Sequence, residues 1–236
     1  MNHKYLLTLF FLTASQLANA QFAKIIDKDG YVNVRKQATV NSAIVSKIAA
    51  DEIVYAFPDQ KLGDWVSLDY TNSQNKSVTG YVHNTRIKFI ESYKHIPNIS
   101  FDESKATFRS NDVTVEMRSD KFDYEKNKSY FSSTKYEGYT IVDKFKGQKL
   151  WGTDGGIPSS HYISIKAKIK GRTVLVPEKE IENLFNINNE FAACYYDDLN
   201  DILYITSVNS DGAGGYAALF TIEKGKYKAR VVTMPF

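Results

Sequence analysis

The chain has 236 residues, with 30 Lys and Arg against 27 Asp and Glu and a net charge of +3. A balance this close to neutral excludes the electrostatic footprint of a nucleic-acid binder. A single cysteine, Cys194, excludes an intrachain disulfide, so the fold must rest on an apolar core that 16 Tyr and 14 Phe help to supply.

The first twenty residues read MNHKYLLTLFFLTASQLANA. Lys4 gives a positive start, residues 5–14 an apolar run, and Ala18-Asn19-Ala20 a small-residue cleavage site, which together predict a signal peptide over residues 1–20. The apolar run is too short for a membrane helix, and no later run reaches the roughly 18 residues that one needs. Export is therefore expected, with no stable membrane insertion after cleavage. No cysteine follows the cleavage site to carry a lipid, which favours the periplasm, with full secretion as the alternative.

Residues 31–35, 53–57, 65–68, 80–82 and 87–90 are short apolar or alternating runs, and DKDG, PDQKLGD and TNSQNKS lie between them. This spacing predicts a small β-barrel over residues 21–93. KHIPN (94–98) reads as a linker, because Pro97 pushes the residue before it toward extended geometry. Residues 99–236 are expected to form a larger antiparallel β-domain. Its expected strands are 99–108, 113–118, 139–145 and 162–169, the last continuing as a hairpin across Gly171. Residues 177–185 predict the one short helix, with Pro177 in its first turn and Ile181, Leu184 and Phe185 on one face. A meander of FAACYYD, ILYITSVN, YAALFTIE and YKARVVTM follows. The fold class is thus mainly β, an SH3-like barrel followed by a larger antiparallel β-domain with one short helix.

GYVNVRKQATVNSAIVSKI (30–48), GDWVSLDY (63–70) and TGYVHNTRI (79–87) resemble, in that order, the successive strands of bacterial SH3 (SH3b) domains. Asp51-Glu52 stands where that family usually has a glycine, and the loop at 71–78 is longer than usual. The resemblance implies a binding module that targets cell-wall peptide or acts as a spacer. In the second unit, WGTDGGIP (151–158), ENLFN (182–186) and NSDGAGGYAALFTIEKGKY (209–227) resemble an uncharacterised group of bacterial exported proteins. Some of these resemble periplasmic immunity proteins.

WGTDGGIPSSHY (151–162) contains the residue types of a serine hydrolase: Asp154, Ser159, Ser160 and His161. Adjacency in sequence is not triad geometry, and no Gly-x-Ser-x-Gly elbow accompanies them. Cys194 has no histidine after it, against the order of the cell-wall cysteine peptidases that often accompany SH3b modules, and its apolar neighbours predict a buried, inert thiol. Asp197, Asp198, Asp201 and Asp211 read as turn residues rather than a calcium loop, and zinc ligands are too few. No catalytic residue, metal or cofactor is assigned. Asn33 and Arg35 are expected to brace the loop that follows them. Glycine-rich loops with exposed side chains suit recognition. The candidate partner-binding residues are Trp151, Asp154, His161 and Asp211 in the second unit, and Tyr31, Trp65 and Tyr81 in the first. The expected function is that of a non-catalytic exported binding protein, in its sharpest form an inhibitor that occludes a toxin enzyme. The alternatives are a peptidoglycan-targeting module and an envelope enzyme of unrecognised type.

Overall fold

The computed structural model describes residues 20–71 and 76–235. The expected signal peptide lies outside the described residues, Ala20 excepted. The protein is mainly β, as its alternating sequence predicts.

The first unit contains β1 (Gln21–Ile25), β2 (Tyr31–Arg35), β3 (Ile44–Ala49), β4 (Ile53–Phe57), β5 (Trp65–Thr71), β6 (Ser77–His83) and β7 (Ile87–Phe89). They form one seven-stranded sheet in the order β3-β2-β6-β5-β4-β1-β7. Val32 and Val34 alternate inward while Asn33 and Arg35 face out, as the period of two requires. Ala23, Val34, Ile48, Val54, Leu68, Val82 and Ile87, one from each strand, belong to a single buried cluster. Side chains from both edge strands meet in one cluster only if the sheet curls around it. The expected barrel is nevertheless open, because β3 and β7 occupy its two ends without pairing.

Residues 94–98 are not a linker. Lys94–Ile96 forms β8, which pairs with the later strand β17 (Ala192–Asp197) through Cys194↔Ile96 and Tyr196↔Lys94. Ile96 is fully buried, so burial of an apolar side chain overrides the extended-linker reading of its proline neighbour. Beyond it lie β9 (Asn98–Phe101), β10 (Lys105–Arg109) and β11 (Val113–Lys121). The single strand expected over 99–108 is split, because the Asp102 carboxylate accepts from the backbone and hydroxyl of Ser104 and closes a turn. Four-residue α1 (Tyr124–Asn127), capped by Asp123, was not foreseen. Next come the hairpin of β12 (Phe131–Tyr136) and β13 (Tyr139–Phe145), then β14 (Gln148–Lys149), β15 (Ser160–Ile169) and β16 (Arg172–Leu175). The β15–β16 turn is Lys170-Gly171, both at positive φ (48° and 84°), the mirror-image geometry that two-residue hairpins favour. Strands β18 (Ile202–Asn209), β19 (Tyr216–Glu223) and β20 (Lys226–Thr233) follow β17 as the expected meander.

The helix expected over 177–185 is a 3-10 turn, Glu178–Glu180, followed by irregular chain. Ile181, Leu184 and Phe185 are buried as expected. Their backbone, however, bonds to the Trp151 segment: Trp151 N–H donates to Asn183 O, and Phe185 N–H to Trp151 O. Those bonds occupy groups that a helix would need for itself.

In the second unit β12-β13-β14 form a smaller third sheet, and two five-stranded sheets, β16-β15-β11-β10-β9 and β20-β19-β18-β17-β8, build the body. Their facing side chains, among them Phe108, Met117, Ile165, Cys194, Ile205 and Phe220, form one core. A third cluster joins the two units. Phe22, Tyr55 and Ile90 from the first pack against Ile202, Tyr204, Ala217 and Leu219 from the second. Tyr93 lies against Tyr204 with ring centroids 5.3 Å apart. At the rim, Lys24 pairs with Asp51 at 2.7 Å. Lys24, with a smaller contribution from Lys228 across the joint, holds the Asp51 carboxyl below its usual range.

Candidate functional site

The outer faces of β2, β5 and β6 carry the candidate residues of the first unit. Pairing sets Trp65 opposite His83 and Ser67 opposite Tyr81, while Arg35 meets Tyr81 from the other side. The Trp65 and His83 rings meet edge to face, 5.6 Å between centroids. A cavity of about 340 Å³ opens beside them, lined by Tyr31, Asn33, Arg35, Val40, Trp65 and His83 among others. Arg35 Nη1 donates to Ser42 O at 2.7 Å, bracing the loop after β2 as expected and holding Val40 at the cavity. Asn33 does not share that bracing role: its Oδ1 is buried and finds no donor among the described residues. Asp27, its side chain only 5% exposed, pairs with Arg86 at 2.9 Å on the cavity wall. Lys47 Nζ lies 4.1 Å from the centre of the Tyr31 ring. The structure thus brings Tyr31 and Trp65 to one cavity and leaves Tyr81 on the same sheet face beside it. Asp27, His83 and Arg86 were missed. Of these, His83 was legible in principle, because the register that places Gly80 beside Leu68 also places it opposite Trp65.

In the second unit, the two glycine-rich loops pack against each other and against residues 185–188. Gly152 O accepts from Asn186 Nδ2 and Ser210 Oγ. Asn188 N–H donates to Asn209 Oδ1, and Asn188 Nδ2 donates to Ser210 O. A methyl group at Gly152 would stand 2.2 Å from Phe185 O, and one at Gly214 3.2 Å from the backbone of Thr153. Only bare backbone fits at the first position. Of the three glycines in SDGAGG, Gly212 alone has positive φ, and Ser210 shares that conformation. Trp151 is half-buried against the core, tilted on Tyr216 and capped by Lys149 Nζ at 3.8 Å. Asp154, Ile157 and Asp211 are exposed on the loops.

His161 does not join them. Trp151 bridges to Leu184 and His161 to Phe185, so the two flank this segment from opposite edges. The His161 ring stands edge-on to Phe122, and its burial lowers its pKa below the usual imidazole value. Ser159 Oγ donates to Asn186 Oδ1 at 2.9 Å, and Ser160 Oγ accepts from Ile187 N–H. Both hydroxyls therefore hold the neighbouring segment in place. Cys194 is fully buried, which pushes its thiol well up. Asp197 accepts from Leu199 N–H, Asn200 N–H and Asn200 Nδ2, closing the turn after β17. Comparison with known proteins finds no match among family models, curated proteins or solved structures.

Proposed function

We propose that this chain is a non-catalytic binding protein of the bacterial envelope, exported by its first twenty residues, that recognises cell-wall peptide through its first unit. The observation that carries the reading is the cavity between Tyr31, Trp65 and His83. It combines aromatic walls with Arg35 and the Arg86–Asp27 pair. Aromatic walls with a few fixed polar groups describe a small-ligand site, and a peptide bearing free carboxylates and amines offers partners for both signs of charge. The SH3b resemblance of residues 30–48, 63–70 and 79–87 supports the same ligand. Co-sedimentation with purified peptidoglycan sacculi tests it. The wild type is expected in the pellet, with Trp65→Ala and Asn33→Ala each reducing the bound fraction. Wild type left wholly in the supernatant overturns the reading.

A second reading rests on the joined loops of the other unit. A rigid surface presenting Asp154, Ile157 and Asp211 suits a protein partner, and an inhibitor that occludes a toxin enzyme is its sharpest form. Such an interface needs about 1,200–2,000 Å². Capture from envelope extract with an Asp154→Ala/Asp211→Ala variant tests it. A stoichiometric partner retained equally by the folded variant would remove these loops from the interface.

A further inference from the structure

A second cavity, of about 350 Å³, lies in the second unit at the root of the β12–β13 hairpin. Four stretches of the chain build it. Phe122 and Phe145 supply an aromatic wall, their rings edge to face at 5.9 Å. His161 and Ile163 come from β15, and Ile181 with Glu178 and Glu182 from the segment after β16. The volume lies at the small end of the ~300–1,000 Å³ range of ligand pockets, room for one ring and a short tail.

The charges at its mouth are unequal. Lys146 is the one cation on the lining, 2.6 Å from Glu182 and 3.8 Å from Glu178. Glu182 also accepts from Gln148 Nε2 at 2.9 Å, which holds its carboxylate in place. His161 faces Asp120 across the strand pair, and its lowered pKa leaves the ring neutral at pH 7. One positive charge thus stands against two carboxylates on the lining, with Asp120 beside them. Glu178 is largely exposed and shares its lysine with the closer Glu182.

We propose that this cavity binds a cationic group attached to an apolar ring, the ring against Phe122, Phe145 and His161 and the ammonium toward Glu178. An arylalkylamine and the free N-terminus of a chain that begins with an aromatic residue share this chemistry. The site is independent of the first-unit cleft.

The test is a titration of the full protein with phenethylamine, with 3-phenylpropionate as its anionic counterpart, followed by NMR of the His161 ring and by calorimetry. A ligand of this size is expected to bind with a Kd on the order of 1 mM. The amine should shift His161 and bind more tightly than the anion. Glu178→Gln, at an exposed position, should weaken the amine by about two- to fivefold, the worth of one exposed ion pair, and leave the anion unchanged or tighter. A Phe-Gly-Gly amide compared with phenethylamine distinguishes the sources, with its N-acetylated form as the control that lacks the ammonium. Tighter binding of the free tripeptide than of phenethylamine assigns the site to chain termini, and weaker binding assigns it to small amines. The proposal is overturned if no probe moves His161, if the anion binds as well as the amine, or if Glu178→Gln leaves the amine unaffected.

Discussion

Gly152→Ala is the sharpest perturbation the structure offers. The residue has φ +95°, where an L side chain costs about 1–2 kcal/mol. Its new methyl would also stand 2.2 Å from Phe185 O, 2.8 Å from Phe185 C and 2.9 Å from Tyr216 Cε1. The carbonyl cannot simply retreat, because Phe185 O accepts from Tyr216 Oη at 3.0 Å. Nor can Gly152 swing away without stretching the bonds from Asn186 and Ser210 to its own carbonyl. Loss of two such bonds costs about 1–3 kcal/mol, which brings the expected destabilisation to about 2–5 kcal/mol. Urea unfolding followed by circular dichroism measures it, with two neighbours as controls. Gly155 has φ +69° and Gly156 an ordinary φ, and a methyl at either meets nothing within 4 Å. Gly155→Ala should cost about 1–2 kcal/mol and Gly156→Ala within about 0.5 kcal/mol of zero. A Gly152→Ala loss no larger than that of Gly155→Ala refutes the argument that this loop is locked by its contact with residue 185.

The joint between the units predicts that they unfold together. Trp65 reports the first unit and Trp151 the second, so fluorescence of single-tryptophan variants should give coincident denaturation curves, and two separated transitions would refute the coupling. Leu219→Ala, at a fully buried joint position, should cost about 2–5 kcal/mol and shift both curves together. The lowered pKa of His161 predicts a slope in stability with pH. Above the ordinary imidazole value of about 6.5 its contribution is fully present. As pH falls from there toward the lower folded value, the unfolded chain takes the proton first and stability declines. His161→Gln should flatten that part of the profile, and an unchanged slope would show that another group sets it.

The strands with clean alternation or continuous apolar runs were legible, and 31–35, 53–57 and 139–145 coincide with β2, β4 and β13. What failed did so for identifiable reasons. The i, i+3, i+4 spacing of Ile181, Leu184 and Phe185 marks a buried face, and an irregular segment pinned to Trp151 satisfies it as well as a helix does. β12, FSSTKY, has no apolar alternation to read, because nearly all of the hairpin arm is exposed on both faces. β8 is three residues long and owes its existence to a partner about a hundred positions away. The sites divide in the same way. Tyr31 and Trp65 were found because both stand in motif strands, β2 and β5, whose outer faces lie on the same sheet with β6 between them. The His161 cavity draws on residues 122, 145, 161 and 182, and no local pattern links them.

The cluster of Phe22, Tyr55, Ile90, Tyr204 and Leu219, with β8 running directly into the second unit's sheet, leaves no tether between the units. Anything held in the first-unit cleft is therefore presented at a set distance and angle from the loops of the second. For a target bearing two matching groups at that spacing, the second attachment is intramolecular and its effective concentration is not diluted by a wandering linker. For a target spaced differently, the same stiffness forbids the double grip, so geometry itself becomes a selectivity filter.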